Sequence, residues 1–113
     1  MLSKNPAQYL RDILDNIYAI GRFSTGPDPA VVRSDQKTVY AVVRALEIIS
    51  EASRRLPNAI LDRYPDIKWA AIAAAGNVYR HEYSSVNEAI IWVTVDKHLE
   101  PLRVMAEKEL ARL

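Results

Sequence analysis

Apolar residues recur at helical spacing along almost the whole chain. Leu10, Ile13, Leu14 and Ile17 fall at i, i+3, i+4 and i+7 behind an Asn5-Pro6 pair suited to a cap and a first turn. They predict an amphipathic helix over about 6–21. The stretch Gly21-Arg22-Phe23-Ser24-Thr25-Gly26-Pro27-Asp28-Pro29 follows and predicts a loop. Ser34 or Asp35 can then cap a longer helix in which Val39, Val42, Val43, Leu46, Ile49, Ala52 and Leu56 recur at threes and fours, closed by Pro57. Asn58 is expected to cap a short helical turn through Ile60 and Leu61 to Tyr64, which Pro65 stops. Asp66 is expected to cap the next helix, with a stripe of Trp69, Ile72, Ala73 and Gly76 and an alanine-rich run that favours it, fraying near Glu82.

The run from Ile90 to Val95 has the composition of a buried strand, but no second segment offers to pair with it. Its flanks, Asn87-Glu88-Ala89 and Asp96-Lys97, predict a helix with a wide apolar face, capped by Ser85 or Asn87. Pro101 is expected to bend or restart that helix, and Leu102, Met105 and Leu110 share one side of the tail. The pattern predicts an all-α protein, a small up-and-down bundle of four to five helices forming a single domain over residues 1–113.

Composition agrees with one cored domain: 113 residues, 50% of them apolar. Cysteine is absent, which excludes disulfides, thiolate zinc sites, iron–sulfur clusters and a thiol nucleophile. A net charge of +1 provides no global basic field, so nucleic-acid binding would need a local patch. The start, MLSKNPAQYL, has no apolar stretch of signal-peptide length, and no run approaches the roughly 20 apolar residues of a membrane span. A cytoplasmic protein is expected, with no membrane partner. His81 and His98 are too far apart along the chain for a ready two-histidine metal site. His-Glu-x-x-His, the P-loop and Gly-x-Gly-x-x-Gly are all missing, so neither a metal nor a cofactor is called for.

The most varied polar segment is Gly76-Asn77-Val78-Tyr79-Arg80-His81-Glu82-Tyr83. Asn77 and His81 are four apart and share a helix face continuing the stripe from Trp69. An imidazole titrating near neutrality can take a proton from a ribose 2′-hydroxyl and return one to the leaving oxygen, while an amide or guanidinium neutralises charge on the phosphorane. The same residues also fit a core histidine whose nitrogens are satisfied by Asn77 or a carbonyl. Gly76 is unusual inside an alanine-rich helix, where glycine costs about 1 kcal/mol relative to alanine; it fits close helix packing or room for a ligand beside His81. On the second helix Arg44, Glu47 and Glu51 share a flank. They form either a solvated ion-pair row or a core-margin carboxylate, Glu51, partnered by Arg80 or Arg44. The pair Arg54-Arg55 and the tail cations Arg103, Lys108 and Arg112 read as ordinary surface.

Four separated blocks, in order, resemble the HepT-like branch of the HEPN domains. They are Ala41 to Ala52, Pro65-Asp66-Ile67-Lys68-Trp69, Asn77 to Tyr83, and Val86 to Trp92 with Leu99-Glu100-Pro101-Leu102. The resemblance implies a dimeric helical bundle whose polar motif, an arginine followed by His-x-Tyr, lines a cleft between copies. It implies a metal-independent ribonuclease acting on RNA and not DNA, the toxin of a toxin–antitoxin system. Its partner would be a minimal nucleotidyltransferase antitoxin that in some pairs transfers AMP to the motif tyrosine. By position, His81 is the catalytic histidine, Tyr83 the motif tyrosine and AMP acceptor, and Asn77 the polar residue after the motif arginine. Gly76 stands where the family has that arginine. Its fork suits a phosphate, and losing it removes transition-state stabilisation. Arg80 is the candidate substitute, with a salt bridge to Glu51 as its other role, and Glu51 and Arg44 are possible supporting residues. The alternative is a catalytically weak or inactive HEPN module that binds a nucleotidyltransferase or a nucleotide.

Overall fold

In the computed structural model the structure describes residues 5–74 and 85–113, of which 85–87 by backbone only. Helix α1 spans Pro6–Phe23, capped by the Asn5 side chain, which accepts from the Ala7 N–H at 2.9 Å, with Pro6 at its first position. It runs past Gly21, which the sequence pattern assigns to the loop; Ser24 ends it, its N–H bonding to the Ile20 carbonyl at 3.0 Å. Helix α2, Pro29–Ser34, is an element the hydrophobic pattern did not predict. Helix α3, Gln36–Arg54, is capped by Asp35, which accepts from both the N–H and hydroxyl of Thr38 at 2.9 Å. Helix α4 is Asn58–Arg63, with Pro57 and not Asn58 at the cap position. Helix α5 is described over residues 69–74; the Ile72 N–H bonds to the Lys68 carbonyl at 3.1 Å, so the helix starts from Lys68 and not from Asp66.

Helix α6 spans Ser85–Arg112. It takes in Ser85 and Asn87 as helical residues, and the β-rich run from Ile90 to Val95 is helical, as its flanks predicted. It also passes Pro101 without restarting, although the proline ring deprives the Lys97 carbonyl of its i+4 donor. The architecture is all-α, and among the described residues there is no strand. It has six helices where four to five were expected, α2 being the addition.

One core joins the elements. Leu10, Ile13 and Ile20 of α1 meet Val42, Leu46 and Ile49 of α3 and Leu99, Leu102 and Met105 of α6, all of them buried. The tail after Pro101 is therefore an integral wall of the bundle. Short α2 is held by side chains more than by its own core face, since none of its residues is buried. Arg33 makes a two-pronged bond to Asp96 of α6 (2.6 and 2.9 Å), its guanidinium lies 4.6 Å over the Trp92 ring, and the Trp92 indole N–H donates to the Arg33 carbonyl at 3.2 Å. Arg33 holds the Asp96 carboxyl below the usual carboxylate range. The turn before α2 needs its glycine, because a β-carbon on Gly26 would collide with a γ-methyl of Val32.

The opposite end is tied by a buried carboxylate. Glu109 of α6, with a side chain only 3% exposed, accepts from Arg63 of α4 at 2.5 and 3.2 Å and from the Tyr64 hydroxyl at 2.7 Å. The Arg63 bonds, foremost, hold its carboxyl below the ordinary range. Glu109→Ala removes the acceptor from both partners and should lower unfolding free energy by about 2–3 kcal/mol in urea denaturation. Because the folded pKa is depressed, this stabilisation is full above the unfolded carboxylate value and is lost as pH falls through the folded one. Glu109→Gln should therefore flatten the decline of stability in acid. Gly21 faces open space, with nothing within 4 Å of the place a β-carbon would take, so Gly21→Ala should raise stability by about 0.5–1 kcal/mol in the same assay.

Candidate functional site

Asn77, Arg80, His81 and Tyr83, with Gly76, lie outside the described residues. What the structure shows is how the chain is held on either side of them. On the entering side Ile72 of α5 is buried, and the Ser50 hydroxyl of α3 donates to the Ala73 carbonyl at 3.2 Å. On the leaving side Ile91 and Trp92 of α6 are buried, and Trp92 is engaged by Arg33. Both flanks of 75–84 are thus fixed to the bundle by core contacts and a hydrogen bond, the latter within two residues of its start.

Arg44 and Glu51 are described, and both line one groove of about 400 Å³ between α1 and α3 with Tyr9, Asp12, Glu47 and Arg55 around an apolar floor of Ile48 and Ala52. They share the groove without pairing. Glu51 accepts from Arg54 at 2.9 Å and from Arg55 at 2.8 Å, and Arg55, followed by Arg54, holds its carboxyl below the usual range. The expected partner, Arg44, sits instead 3.5 Å from Glu47. The local reason is helical register: Arg54 and Arg55 stand three and four residues beyond Glu51 on the same flank. These two arginines, read from sequence as plain surface, fix the carboxylate's position. Arg103 of the tail is likewise engaged, bonding Glu100 and, at 2.8 Å, Glu107, while the Tyr18 hydroxyl of α1 donates to Glu107.

Sequence reasoning missed Tyr9 and Asp12 as groove residues. Their signal was present in their three-residue spacing on α1, but which face of α1 meets α3 is a tertiary fact. His98 lies half-buried, lining a separate apolar groove of about 430 Å³ with Ala71, Ala74, Ile90, Val93 and Thr94. No helix among the described residues is long and apolar enough to cross a membrane.

Comparison with known proteins now adds what geometry alone does not. A family model described as ribonuclease HepT-like matches residues 13–109, a span that contains both flanks and the whole segment between them. The chain is 34% identical over 107 residues to a protein of Thermococcus cleftensis named "Probable ribonuclease HepT", covering 95% of this chain and 97% of that one. It is 35% identical over 92 residues to "Putative RNase MJ0127" of Methanocaldococcus jannaschii, covering 81% and 76% respectively. A Caldanaerobacter subterraneus protein named "Putative RNase TTE0752" is 31% identical over 109 residues, 96% of this chain and 97% of its own. No solved structure matches. The bundle, the held flanks and these matches agree, and the chain belongs to the HepT-like ribonuclease family.

Proposed function

We propose that this protein is a metal-independent endoribonuclease, the toxin of a toxin–antitoxin pair, working in the cytoplasm as a homodimer with His81 as general base and acid. The observation that carries the reading is the match of a ribonuclease family model across the segment 75–84, in a bundle that fixes that segment at both ends. In the proposed reaction the His81 imidazole takes the proton of a ribose 2′-hydroxyl as its oxygen attacks the adjacent phosphorus. The bond from phosphorus to the 5′-oxygen breaks, that oxygen receives the proton from the imidazolium, and a cyclic phosphate remains. Asn77 and Arg80 neutralise the phosphorane, with Arg80 taking the place of the arginine that Gly76 lacks. A second copy duplicates these groups around one cleft. Glu51 and Arg44 support the site from α3.

Tyr83 is the proposed acceptor of AMP from a minimal nucleotidyltransferase antitoxin. The phenol oxygen bonds the α-phosphorus of ATP, pyrophosphate leaves, and the phenolic proton passes to solvent or a base. A bulky anion beside His81 would exclude RNA by volume and charge together. The glycine at position 76 specifically favours one other reading, a HEPN module that binds its nucleotidyltransferase without cleaving RNA.

Two measurements test these assignments. Purified protein incubated with RNA in EDTA should cleave it, His81→Ala should abolish cleavage, and Gly76→Arg should raise the rate by about tenfold or more. Unaltered cleavage by His81→Ala removes that residue from the mechanism, and no cleavage by either wild type or Gly76→Arg supports the binding module. Co-expression with an adjacent nucleotidyltransferase should add AMP-sized mass increments that disappear in Tyr83→Phe; increments that persist place the modification elsewhere.

A further inference from the structure

The outer face of α3 sets a projecting cation beside a recessed carboxylate. The Arg44 side chain is 72% exposed and stands on the ridge between two grooves, one of about 400 Å³ toward α1 and one of about 310 Å³ under Tyr40 and Val43. Glu47 lines both grooves, with a side chain only 18% exposed. The two approach to 3.5 Å, longer than a good charge-assisted bond. The other groove carboxylates are engaged differently: Glu51 by Arg54 and Arg55, and Asp12 by the Gln8 amide at 2.9 Å. Counting the charges that line the larger groove apart from Arg44 gives Asp12, Glu47 and Glu51 against Arg55 alone. The hollow is anionic, and the projection next to it is cationic.

A surface that carries both a charged projection and an oppositely charged hollow is self-complementary. We propose that this face of α3 is where a second copy of the chain docks, the two α3 helices antiparallel, each Arg44 entering the partner's groove against its Glu47. A two-fold axis passing between residues 45 and 46 sets position 44 of one copy opposite 47 of the other and position 40 opposite 51. The same axis brings the Tyr40 hydroxyl toward Glu51, and every contact occurs twice. Tyr40 is 57% exposed, and arginine and tyrosine are the side chains that most often anchor protein interfaces. Ile48 and Ala52 supply an apolar floor between the polar rims. A single-stranded RNA fits this groove less well, since three carboxylates repel its phosphates. The proposal rests on the homodimer reading above and names its surface.

Charge reversal with cross-complementation tests it. At micromolar concentration wild-type protein should have the mass of a dimer by light scattering and sedimentation. Arg44→Glu and Glu47→Lys should each weaken that dimer more than about tenfold, because each places like charges opposite one another twice. An equimolar mixture of the two variants should restore a one-to-one heterodimer in native mass spectrometry, both cross-pairs then being opposite in charge. Helical circular dichroism checks that each variant is folded, and Arg44→Ala, which adds no like charge, should weaken the dimer less than Arg44→Glu. A wild-type monomer overturns the homodimer reading itself. A wild-type dimer that survives Arg44→Glu overturns only this surface, and loss of RNA cleavage in that intact dimer assigns the groove to RNA. Variants that are monomeric alone and stay monomeric when mixed overturn the pairing of Arg44 with Glu47.

Discussion

Burial of the apolar face of α1 between α3 and α6 is the contact on which the rest of the molecule depends. With no cysteine to cross-link the chain, stability has to come from the seam of Leu10, Ile13 and Ile20 against Val42, Leu46, Ile49, Leu102 and Met105. Each end of that seam carries one polar tie that the core alone would not provide. Arg33 with Trp92 and Asp96 closes one end, and Glu109 with Arg63 and Tyr64 closes the other. Both ties join a short helix to α6, so the least self-sufficient elements are the ones held by specific bonds. Placing such pairs at the rim of the core also limits their desolvation: Arg33 and Arg63 keep 35% and 39% of their side-chain surface exposed.

The same arrangement decides where chemistry can be placed. The segment 75–84 leaves the bundle from α5 and rejoins it at α6, two elements on which the core has a direct grip through Ile72, Ile91 and Trp92. A catalytic group does its work only if its approach to substrate is reproducible, and residues anchored on both sides by packed helices meet that condition better than a long free loop. This is the physical sense in which family membership and fold support each other. The match spans residues 13–109, and the elements within it are those that hold the flanks.

Much of the fold was legible because its causes are local. Asp35 before Thr38, Pro6 after Asn5, and the three-four spacing of Val39, Val42, Leu46 and Ile49 each carry their own explanation. The helical character of Ile90 to Val95 was readable from its flanks and from the lack of a pairing partner. Helix α2 was not, because six residues with no buried side chain are helical only through an N-cap at Asp28 and a clamp to residues some sixty positions away. Gly21 misled for a related reason: glycine weakens a helix without ending it, and the end is set by Ser24. Of the site, the cluster of Asn77, Arg80, His81 and Tyr83 could be singled out by composition, but the partners of Glu51 could not. The nearest cations in register, Arg54 and Arg55, took the place assigned to Arg44, and only the packing of α1 on α3 reveals that Tyr9 and Asp12 complete the groove.

Helix α3 connects these observations. Ser50 points into the bundle and holds the Ala73 carbonyl, one residue before the last described position of α5, whereas Glu51, one residue on and about 100° around the helix, opens into the outer groove. A single turn of α3 therefore has the anchor of the candidate catalytic segment on its inner side and the proposed pairing face on its outer side. Any partner that docks against Glu47 and Glu51 restrains the backbone that carries Ser50, and through one hydrogen bond it restrains the start of the segment bearing His81. Association and the placement of the catalytic group are coupled by adjacency in the helix, without need of a longer path through the core.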